Sequence, residues 1–307
     1  MVYDLIIIGA GPAGITASVY AARKRMNFLV ISKDIGGQTA WSADIENYTG
    51  YQFITGQDLT EKFKEHIERY KVEVKEGEEV VNLTRGDGLI KIRTKKGDYQ
   101  AKTAIVASGK VSKELDVPGE EEFKNKGLSY CATCDGPIFT GKDVAIIGGG
   151  NSALDAAIQL DKIASKIYII NIAKEITGDP VMQERLKDSS KVSIMNSTKV
   201  KAVLGNKFVN SLKIERDGAE ETLSVQGVFV EIGLVPNSLF AEELKMNENK
   251  EIVVNCDSET NMPGVFAAGD VTSVPEKQII IAAGEGAKAA LAAFRYLTRN
   301  KAYRETY

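Results

Sequence analysis

The chain has 307 residues, of which 43% are hydrophobic and 26% are charged, with a formal net charge of −3. This length permits two domains with sizeable cores, and the slightly negative charge argues against a nucleic acid or an acidic membrane surface as partner. No run of about 18 apolar residues indicates a membrane span, and the N-terminus lacks the pattern of a signal peptide.

The cysteine content indicates the redox environment. Three cysteines, Cys131, Cys134 and Cys256, are too few for the disulfide framework of a small secreted protein. In a reducing cytoplasm a disulfide is more often catalytic than structural. We therefore expect a cytoplasmic protein in which any disulfide takes part in chemistry.

The N-terminal region predicts a dinucleotide-binding unit. Residues 3–8 fit a buried parallel strand, a Gly-Ala-Gly-Pro-Ala-Gly turn follows at 9–14, residues 15–25 fit a helix, and 28–31 fit a second strand. The glycines close the turn, let the backbone approach a pyrophosphate and let the helix pack on the strand. One feature departs from the usual pattern: the second strand ends in Ser32, not in an acidic residue that would bind a ribose hydroxyl.

The following segment alternates loops, one helix and short strands. Gly-Gly-Gln at 36–38 is a second loop that a ligand can approach closely, and the amphipathic helix at 57–70 carries the sole histidine, His66, expected on its surface. Strands are predicted at 72–74, 80–84, 89–94 and 103–107, and a polar linker at 111–119.

A compact dithiol motif lies in the middle of the chain. Cys131 and Cys134 are three positions apart, and Asp135 follows directly. Such a pair closes a disulfide with little chain movement and stores two electrons, and a helix N-terminus would favour its thiolate. The pair also fits half a zinc site, with Cys256 and His66 as the remaining candidates, although the spacing is unlike a compact knuckle. We expect Cys256 to be a small buried residue in a strand at 251–256.

The N-terminal arrangement recurs after the dithiol. An apolar strand at 143–147 precedes Gly-Gly-Gly-Asn-Ser-Ala at 148–153, then a helix to about residue 162 and a strand at 166–170. This internal duplication is more specific than either glycine motif alone. It predicts two dinucleotide-binding units in one chain.

The C-terminal third completes both units. Residues 200–204, 210–215 and 222–225 predict a small antiparallel region, and 228–232 a strand that leads to a second linker at 233–236. A buried strand at 264–270 ends in Asp270, and residues 278–297 predict a long helix rich in alanine and glycine.

Together these motifs resemble the low-molecular-weight thioredoxin reductases, a family of FAD-containing disulfide reductases, over essentially the whole chain. The resemblance rests on residues 9–14, 36–38, 131–135, 148–153, 269–270 and Gln278. Residues 134–137, 148–152, 233–237 and 277–282 are most similar to one branch, the flavoprotein subunits of alkyl hydroperoxide reductases. That branch carries additional N-terminal thioredoxin-like domains, which we expect to be absent because this chain begins on the first strand.

The resemblance implies an α/β fold with two Rossmann-like dinucleotide-binding domains of three ββα layers, the second inserted into the first. Residues 1–112 and 239–307 would form the FAD-binding domain, and residues 113–238 the NAD(P)H-binding domain that carries the dithiol. The family rotates its inserted domain, here about hinges near 112–118 and 234–237, and forms homodimers.

The resemblance also implies roles for single residues. FAD contacts are implied for Gly9, Gly11, Gly14, Gln38, Asn47, Asp270 and Gln278, and nicotinamide-dinucleotide contacts for Gly148, Gly150, Ala153 and Asn171. Electrons would pass from NAD(P)H through FAD to the Cys131–Cys134 disulfide, with Cys134 against the flavin and Cys131 attacking the partner. Asp135 would protonate the departing thiolate, and a helix N-cap is a compatible alternative role.

The expected electron donor is NADH. NADPH-dependent relatives carry a His-Arg-Arg run after the second strand of the inserted unit, whereas this chain has Asn171, Ile172, Ala173 and Lys174, and a single lysine is a poor phosphate clamp. The NADH-dependent branch carries glutamate at the position of Asn171, and asparagine can still bond a ribose hydroxyl.

The expected partner is a thioredoxin, a glutaredoxin-like protein or a peroxiredoxin relay. Two alternatives remain: a reductase that takes electrons from ferredoxin or a deazaflavin, and a non-enzymatic flavoprotein redox sensor. The intact second glycine motif argues against the first, and the intact dithiol and acid against the second.

Overall fold

The computed structural model describes residues 1–42 and 44–304, without the side chains of residues 41, 44, 134 and 300–304. The strands are β1 Val2–Ala10, β2 Phe28–Ile35, β3 Asp44–Ile45, β4 Ile54–Thr55, β5 Val74–Glu76, β6 Val80–Gly86, β7 Leu89–Thr94, β8 Asp98–Val106, β9 Lys110–Ser112, β10 Leu128–Ser129, β11 Asp143–Ile147, β12 Lys166–Ile170, β13 Val192–Met195, β14 Thr198–Gly205, β15 Val209–Arg216, β16 Ala219–Ser224, β17 Gly227–Val230, β18 Leu234–Pro236 and β19 Val265–Ala267.

The helices are α1 Pro12–Arg23, α2 Gly56–Arg69, α3 Glu120–Phe123, α4 Ala132–Asp135, α5 Asn151–Asp161, α6 Pro180–Lys187 and α7 Ile279–Arg304. Short 3₁₀ helices span Gly37–Trp41, Gly136–Phe139 and Leu239–Ala241. None of the helices in the described part of the chain is long and apolar enough to cross a membrane.

The chain divides into two compact units. The first comprises Met1–Val111 and Val235–Tyr307, and the second comprises Ser112–Leu234. Strands β9 and β18, where the chain passes from one unit to the other, pair as a two-stranded sheet. The polar segment expected as a linker therefore begins with a paired strand.

The first unit is built on a seven-stranded sheet in the order β5-β2-β1-β8-β7-β6, with β19 paired to β8. Strands β5, β2, β1, β8 and β19 run parallel, and β7 and β6 continue the sheet in antiparallel fashion. Parallel strands need crossover connections, and α1 supplies the one between β1 and β2.

The apolar run in β1 fills both faces of this sheet. Leu5 and Ile7 belong to a core that includes alanines of α1 and α7, whereas Ile6 and Ile8 belong to a second core on the opposite face. Successive side chains of a strand point to opposite faces, so a strand covered on both sides is apolar without alternation. The small Ala17, a neighbour of α7 alanines in the first core, permits close helix packing.

The second unit has a five-stranded parallel sheet in the order β10-β17-β11-β12-β13. Val144 and Ile146 of β11 pack on one face with residues of α5 and α6, and Ala145 and Ile147 pack on the other with residues of β14 and β15. Strands β14, β15 and β16 form a three-stranded antiparallel sheet over that second face. The α/β class and the ββα layering expected from the sequence are confirmed.

Several elements of the second unit were not predicted, among them helix α6 and strand β13. Helix α6 begins at Pro180 after Asp179, whose Oδ1 accepts a hydrogen bond of 2.8 Å from the Val181 N–H. An aspartate followed by proline is a helix-start pattern, and the sequence therefore held a signal for this helix. Strand β13, at the edge of the sheet, is too short to give a clear pattern.

Candidate functional site

The first unit contains a cavity of about 430 Å³ at the carboxyl ends of its parallel strands. Open α/β sheets bind ligands at this edge. Six of the seven residues expected to contact FAD line the cavity: Gly9, Gly11, Gln38, Asn47, Asp270 and Gln278.

The glycine turn after β1 packs backbone against backbone. Gly9 has φ of +103°, and a Cβ there would stand 2.3 Å from the main-chain oxygen of Ala107. A Cβ on Gly14 would stand 1.8 Å from the oxygen of Gly9, so the contact of Gly14 is with the strand and not with the cavity. Helix α1 starts after Gly11, which has no side chain to cap the first-turn N–H groups. This cradle fits an anionic group at the helix N-terminus.

The polar side chains of the cavity wall are held from several segments. Gln38 Nε2 donates a hydrogen bond of 3.0 Å to the Lys110 oxygen, and Asn47 Nδ2 donates one of 3.1 Å to Gln278 Oε1. Thr39 is 2% exposed, lines the cavity, and its hydroxyl has no hydrogen-bond partner among the described residues. An orphaned buried hydroxyl in a cavity wall favours a polar ligand there.

Ser32, which stands where an acidic residue is usual, is hydrogen-bonded within the first unit. Its hydroxyl donates a hydrogen bond of 2.6 Å to the Asp34 oxygen and accepts one of 3.0 Å from the Ala10 N–H. Strand β2 continues past Ser32 to Ile35. Lys33, the residue after Ser32, forms an ion pair with Glu79, with 2.6 Å between Nζ and Oε1. Both Lys33 and Glu79 line the cavity.

Asp270 lies in the cavity wall just beyond β19. Burial raises its pKa above the ordinary value, and Lys277 and Lys110 oppose that rise. The turn before it is fixed by the buried Glu285, whose Oε2 accepts a hydrogen bond of 2.7 Å from the Gly269 N–H. Neither lysine was predicted as a site residue from the sequence. Glu251 Oε1 forms ion pairs with both, 3.3 Å from Lys110 Nζ and 3.1 Å from Lys277 Nζ.

The carboxyl edge of the second unit's parallel sheet brings together the other expected site residues. Ser129 of β10 pairs with Phe229 of β17, so Cys131 and Glu231 each lie two residues beyond a pair in adjacent strands. The Glu231 N–H donates a hydrogen bond of 2.8 Å to the oxygen of Ile147, the last residue of β11. The glycine turn that follows β11 therefore flanks Glu231 on the side opposite Cys131. The redox motif and the second dinucleotide turn therefore share one sheet edge.

Cys131 is a disulfide cysteine. Its N–H donates a hydrogen bond of 3.0 Å to Ser129 Oγ, and its oxygen accepts one of 3.1 Å from the Asp135 N–H. The Cys134 side chain lies outside the described residues, although its backbone is part of α4. Asp135 occupies the N-cap position of the next 3₁₀ helix, but its side chain makes no capping hydrogen bond. Its carboxyl group therefore does not cap this helix.

The second glycine turn repeats the first. Gly148 has φ of +141°, a Cβ there would stand 2.2 Å from the Glu231 oxygen, and the buried Ala153 is one of its neighbours. Gly150 is the N-cap of α5, and a Cβ on it would meet nothing within 4 Å. The turn is closed on the sheet side and open at the helix N-terminus, as a phosphate site requires.

Asn171, which the resemblance implies as a contact of the nicotinamide dinucleotide, is hydrogen-bonded within the second unit. It is 5% exposed, and its Nδ2 donates to the Glu175 oxygen at 2.8 Å and to Asn196 Oδ1 at 2.9 Å. Its Oδ1 accepts a hydrogen bond of 3.2 Å from the Ala173 N–H. Since both amide hydrogens are used within the unit, Asn171 shapes the loop after β12.

A cluster of polar side chains that the sequence did not predict lies beside the redox motif. Thr133 Oγ1 donates a hydrogen bond of 2.8 Å to Gln159 Oε1, and Gln159 Nε2 donates one of 2.7 Å to Asp155 Oδ2. Burial raises the pKa of Glu231 to about 8, nearby Asp155 contributes to the rise, and the Ala132 backbone N–H opposes it. An acidic residue directly after the apolar run of β17 was the available signal.

Two expectations concern residues away from these sites. Cys256 is a free, exposed thiol in a turn, not a buried strand residue. Asn255 Oδ1 accepts hydrogen bonds of 3.0 Å from the N–H groups of both Asp257 and Glu259, and this local turn replaces the strand. His66 is exposed on α2, and no group of three potential ligands for a metal ion occurs in the described part of the chain.

Known proteins share this architecture. A family model described as pyridine nucleotide-disulphide oxidoreductase matches residues 3–288. Thioredoxin reductase of Lactococcus lactis superposes with a TM-score of 0.88 at 33% identity, covering 97% of this chain and 99% of that one. The thioredoxin reductase of T. acidophilum superposes with a TM-score of 0.85 at 36% identity, covering 95% of this chain and 98% of that one.

A longer protein matches at higher identity. The F subunit of alkyl hydroperoxide reductase in Staphylococcus aureus (strain MSSA476) is 41% identical over 302 residues, which are 97% of this chain and 60% of that protein. The chain therefore spans about 60% of the length of this relative.

Proposed function

Because the chain belongs to the pyridine nucleotide-disulphide oxidoreductase family, we propose that it transfers electrons from NADH, with FAD as cofactor, through a Cys131–Cys134 disulfide to a thioredoxin-like or glutaredoxin-like protein. That partner would in turn feed a peroxiredoxin. The observation that carries the proposal is the disulfide-bonded Cys131 on the same sheet edge as the second glycine turn. The resemblance to low-molecular-weight thioredoxin reductases noted in the sequence is confirmed at the level of the family.

The first unit has the groups that FAD needs. Gly9 and Gly11 expose main-chain atoms to the cavity beside a helix N-terminus, where the pyrophosphate could bind. Asp270 could accept a hydrogen bond from a hydroxyl group of FAD, and the Thr39 hydroxyl has no hydrogen-bond partner among the described residues. Gln38, Asn47 and Gln278 add amide groups around the same cavity. When bound, FAD supplies the link between a two-electron nicotinamide donor and a disulfide.

The dithiol would act on the partner in two steps. The Cys131 thiolate attacks one sulfur of the partner disulfide, which breaks that bond, forms a mixed disulfide and releases the other partner sulfur as a thiolate. Cys134 then attacks Cys131, which restores the internal disulfide and leaves the partner as a dithiol, reduced by two electrons. Asp135 would supply a proton to a departing thiolate.

The loop after β12 supports NADH as donor. Residues 171–178 contain one lysine and no arginine, and the exposed Lys174 is followed by the equally exposed Glu175. A lysine cannot make the bidentate bond that arginine makes to a 2′-phosphate, and a neighbouring carboxylate repels one. Asn171 contributes by fixing this loop through Asn196 and Glu175.

Anaerobic titration of the FAD-loaded protein tests the proposal. NADH should bleach the flavin absorbance at lower concentration than NADPH, and a thioredoxin-like disulfide should restore the absorbance. No bleaching by either nucleotide would contradict the proposal and would favour a ferredoxin or deazaflavin donor, or a sensor. Bleaching without reoxidation by any small disulfide protein would contradict the partner class alone.

Trapping would identify the partner. In a Cys134→Ser variant, Cys131 should form a mixed disulfide that cannot resolve, whereas Cys131→Ser should trap nothing. Size-exclusion chromatography with light scattering tests the homodimer that we also propose. A monomer at micromolar concentration would contradict it.

A further inference from the structure

Glu231 is a titratable group that the proposed chemistry leaves unused. It follows β17 at the position beside Cys131, which follows β10, because these parallel strands pair at Phe229 and Ser129. Phe229 packs with residues of α5, and alternation along the strand points Glu231 to that same side. The carboxyl group is thus directed toward the helix that carries Asp155.

Contacts link the Glu231 carboxyl to the redox motif from two directions. The backbone N–H of Ala132, the residue after Cys131, favours its ionised form. Asp155, which disfavours that form by its like charge, is held by Gln159, and Gln159 accepts a hydrogen bond of 2.8 Å from Thr133 of the motif. Both contacts end on residues that lie between the two cysteines in sequence.

We propose that Glu231 is a positioning residue that controls how readily Cys131 ionises in the reduced protein. A protonated Glu231 leaves the neighbourhood of Cys131 without added negative charge and so permits the thiolate. An ionised Glu231 adds a negative charge on the adjacent strand and so disfavours the thiolate. Glu231 makes and breaks no bond to sulfur, and its proton exchanges with solvent. The inference rests on the proposed role of Cys131 as the attacking thiol.

The protonation state follows from the surroundings. Burial, together with the like charge of Asp155, raises the pKa of Glu231 to about 8, so the carboxyl is protonated at neutral pH and ionises as the pH passes about 8. Among the described charged groups, Asp155 is the one that acts on Glu231 electrostatically, and the disulfide of Cys131 carries no charge. The reactivity of Cys131 would therefore level off in mildly alkaline solution.

The test measures alkylation of Cys131 alone. The full chain with Cys134→Ser and Cys256→Ser retains Cys131 as its one cysteine. The protein is reduced with dithiothreitol and then treated with iodoacetamide at pH values from 6 to 10. The rate of alkylation, followed by intact mass, reports the fraction of Cys131 that is ionised. The parent should show a broad profile because two coupled groups titrate. Glu231→Gln should give a steeper single ionisation at lower pH, with alkylation near pH 9 faster by on the order of three- to tenfold.

Two further variants separate charge from structure. Glu231→Asp keeps an ionisable carboxyl group and should keep the broad profile, and Glu221→Gln removes a charge from exposed strand β16 and should leave the profile unchanged. Superimposable profiles for the parent and Glu231→Gln would overturn the inference, as would Asp and Gln variants that behave alike.

The assay uses neither nucleotide nor partner. A shifted alkylation profile in a protein that NADH does not reduce would therefore refute the proposed function and leave the role of Glu231 standing. Normal NADH-dependent turnover with an unshifted profile would refute the role of Glu231 and leave the function standing.

Discussion

A Cβ atom on Gly14 would stand 1.8 Å from the main-chain oxygen of Gly9. The oxygen belongs to β1 and Gly14 to α1, so the helix approaches the strand at a distance that only glycine allows. This approach places the start of α1 at the cavity in the first unit.

Gly14→Ala should therefore destabilise the first unit by about 1–3 kcal/mol, since backbone atoms on both sides must move apart. Gly284→Ala is a matched control: that glycine is exposed in α7, and a Cβ there would meet nothing within 4 Å. The control should be neutral or stabilising by up to about 1 kcal/mol. Urea unfolding of both variants checks the prediction, and equal effects would contradict it.

Asp270→Asn should weaken FAD binding on the order of ten- to a hundredfold, because a hydrogen bond to a charged group is worth about 1.5–3 kcal/mol. Fluorescence titration of apoprotein with FAD measures the affinity. Asp257→Asn, at an exposed aspartate paired with Arg295, removes the same charge and should bind FAD as the parent does. Unchanged affinity in Asp270→Asn would remove this residue from the FAD site.

The stability of the protein should depend on pH through Glu231. Its pKa is about 8 in the folded chain against an ordinary 4.5, so the folded state holds an extra proton between these values. Stability is therefore lost as the pH rises from about 4.5 to 8, and Glu231→Gln abolishes this loss. Thermal unfolding should show the stability of the variant relative to the parent rising by about 4 kcal/mol between pH 5 and pH 8.5. A constant difference across this range would contradict the prediction.

The bond between Asn171 and Asn196 should be measurable as a coupling. Asn171→Ala removes the buried amide that donates to the Glu175 oxygen and to Asn196 Oδ1, and the loss of these two part-buried hydrogen bonds should cost about 1–3 kcal/mol. A double-mutant cycle with Asn196→Ala should give a coupling energy of about 1 kcal/mol, because the side chains bond at 2.9 Å. Strictly additive effects would show that the two residues act independently.

The nucleotide preference should respond to charge in the loop after β12. Replacing Lys174 and Glu175 by arginine introduces two bidentate phosphate ligands and removes a carboxylate. The ratio of kcat/KM for NADPH to that for NADH should rise by on the order of tenfold or more. Lys187→Arg with Glu184→Arg, on the exposed surface of α6, carries the same charge change and should leave the ratio unaltered.

The sequence by itself determined the elements whose signals are local. The apolar run of β1, the two glycine turns and the three-residue spacing of Cys131 and Cys134 are patterns within a few residues. Their order predicted two dinucleotide-binding units, and the family resemblance added the inserted-domain arrangement. Helix α6 was also within reach, since Asp179 and Pro180 form a local helix start.

Only the tertiary structure decided the states of several side chains. Asn171 has its amide bonded to Asn196, 25 positions away. Burial and the nearby Asp155 raise the pKa of Glu231 above its ordinary value. Cys256 is exposed because the side chain of Asn255 turns the chain where a strand was expected. Desolvation and hydrogen-bond partners depend on segments distant in sequence, and the pattern along one segment carries no information about them.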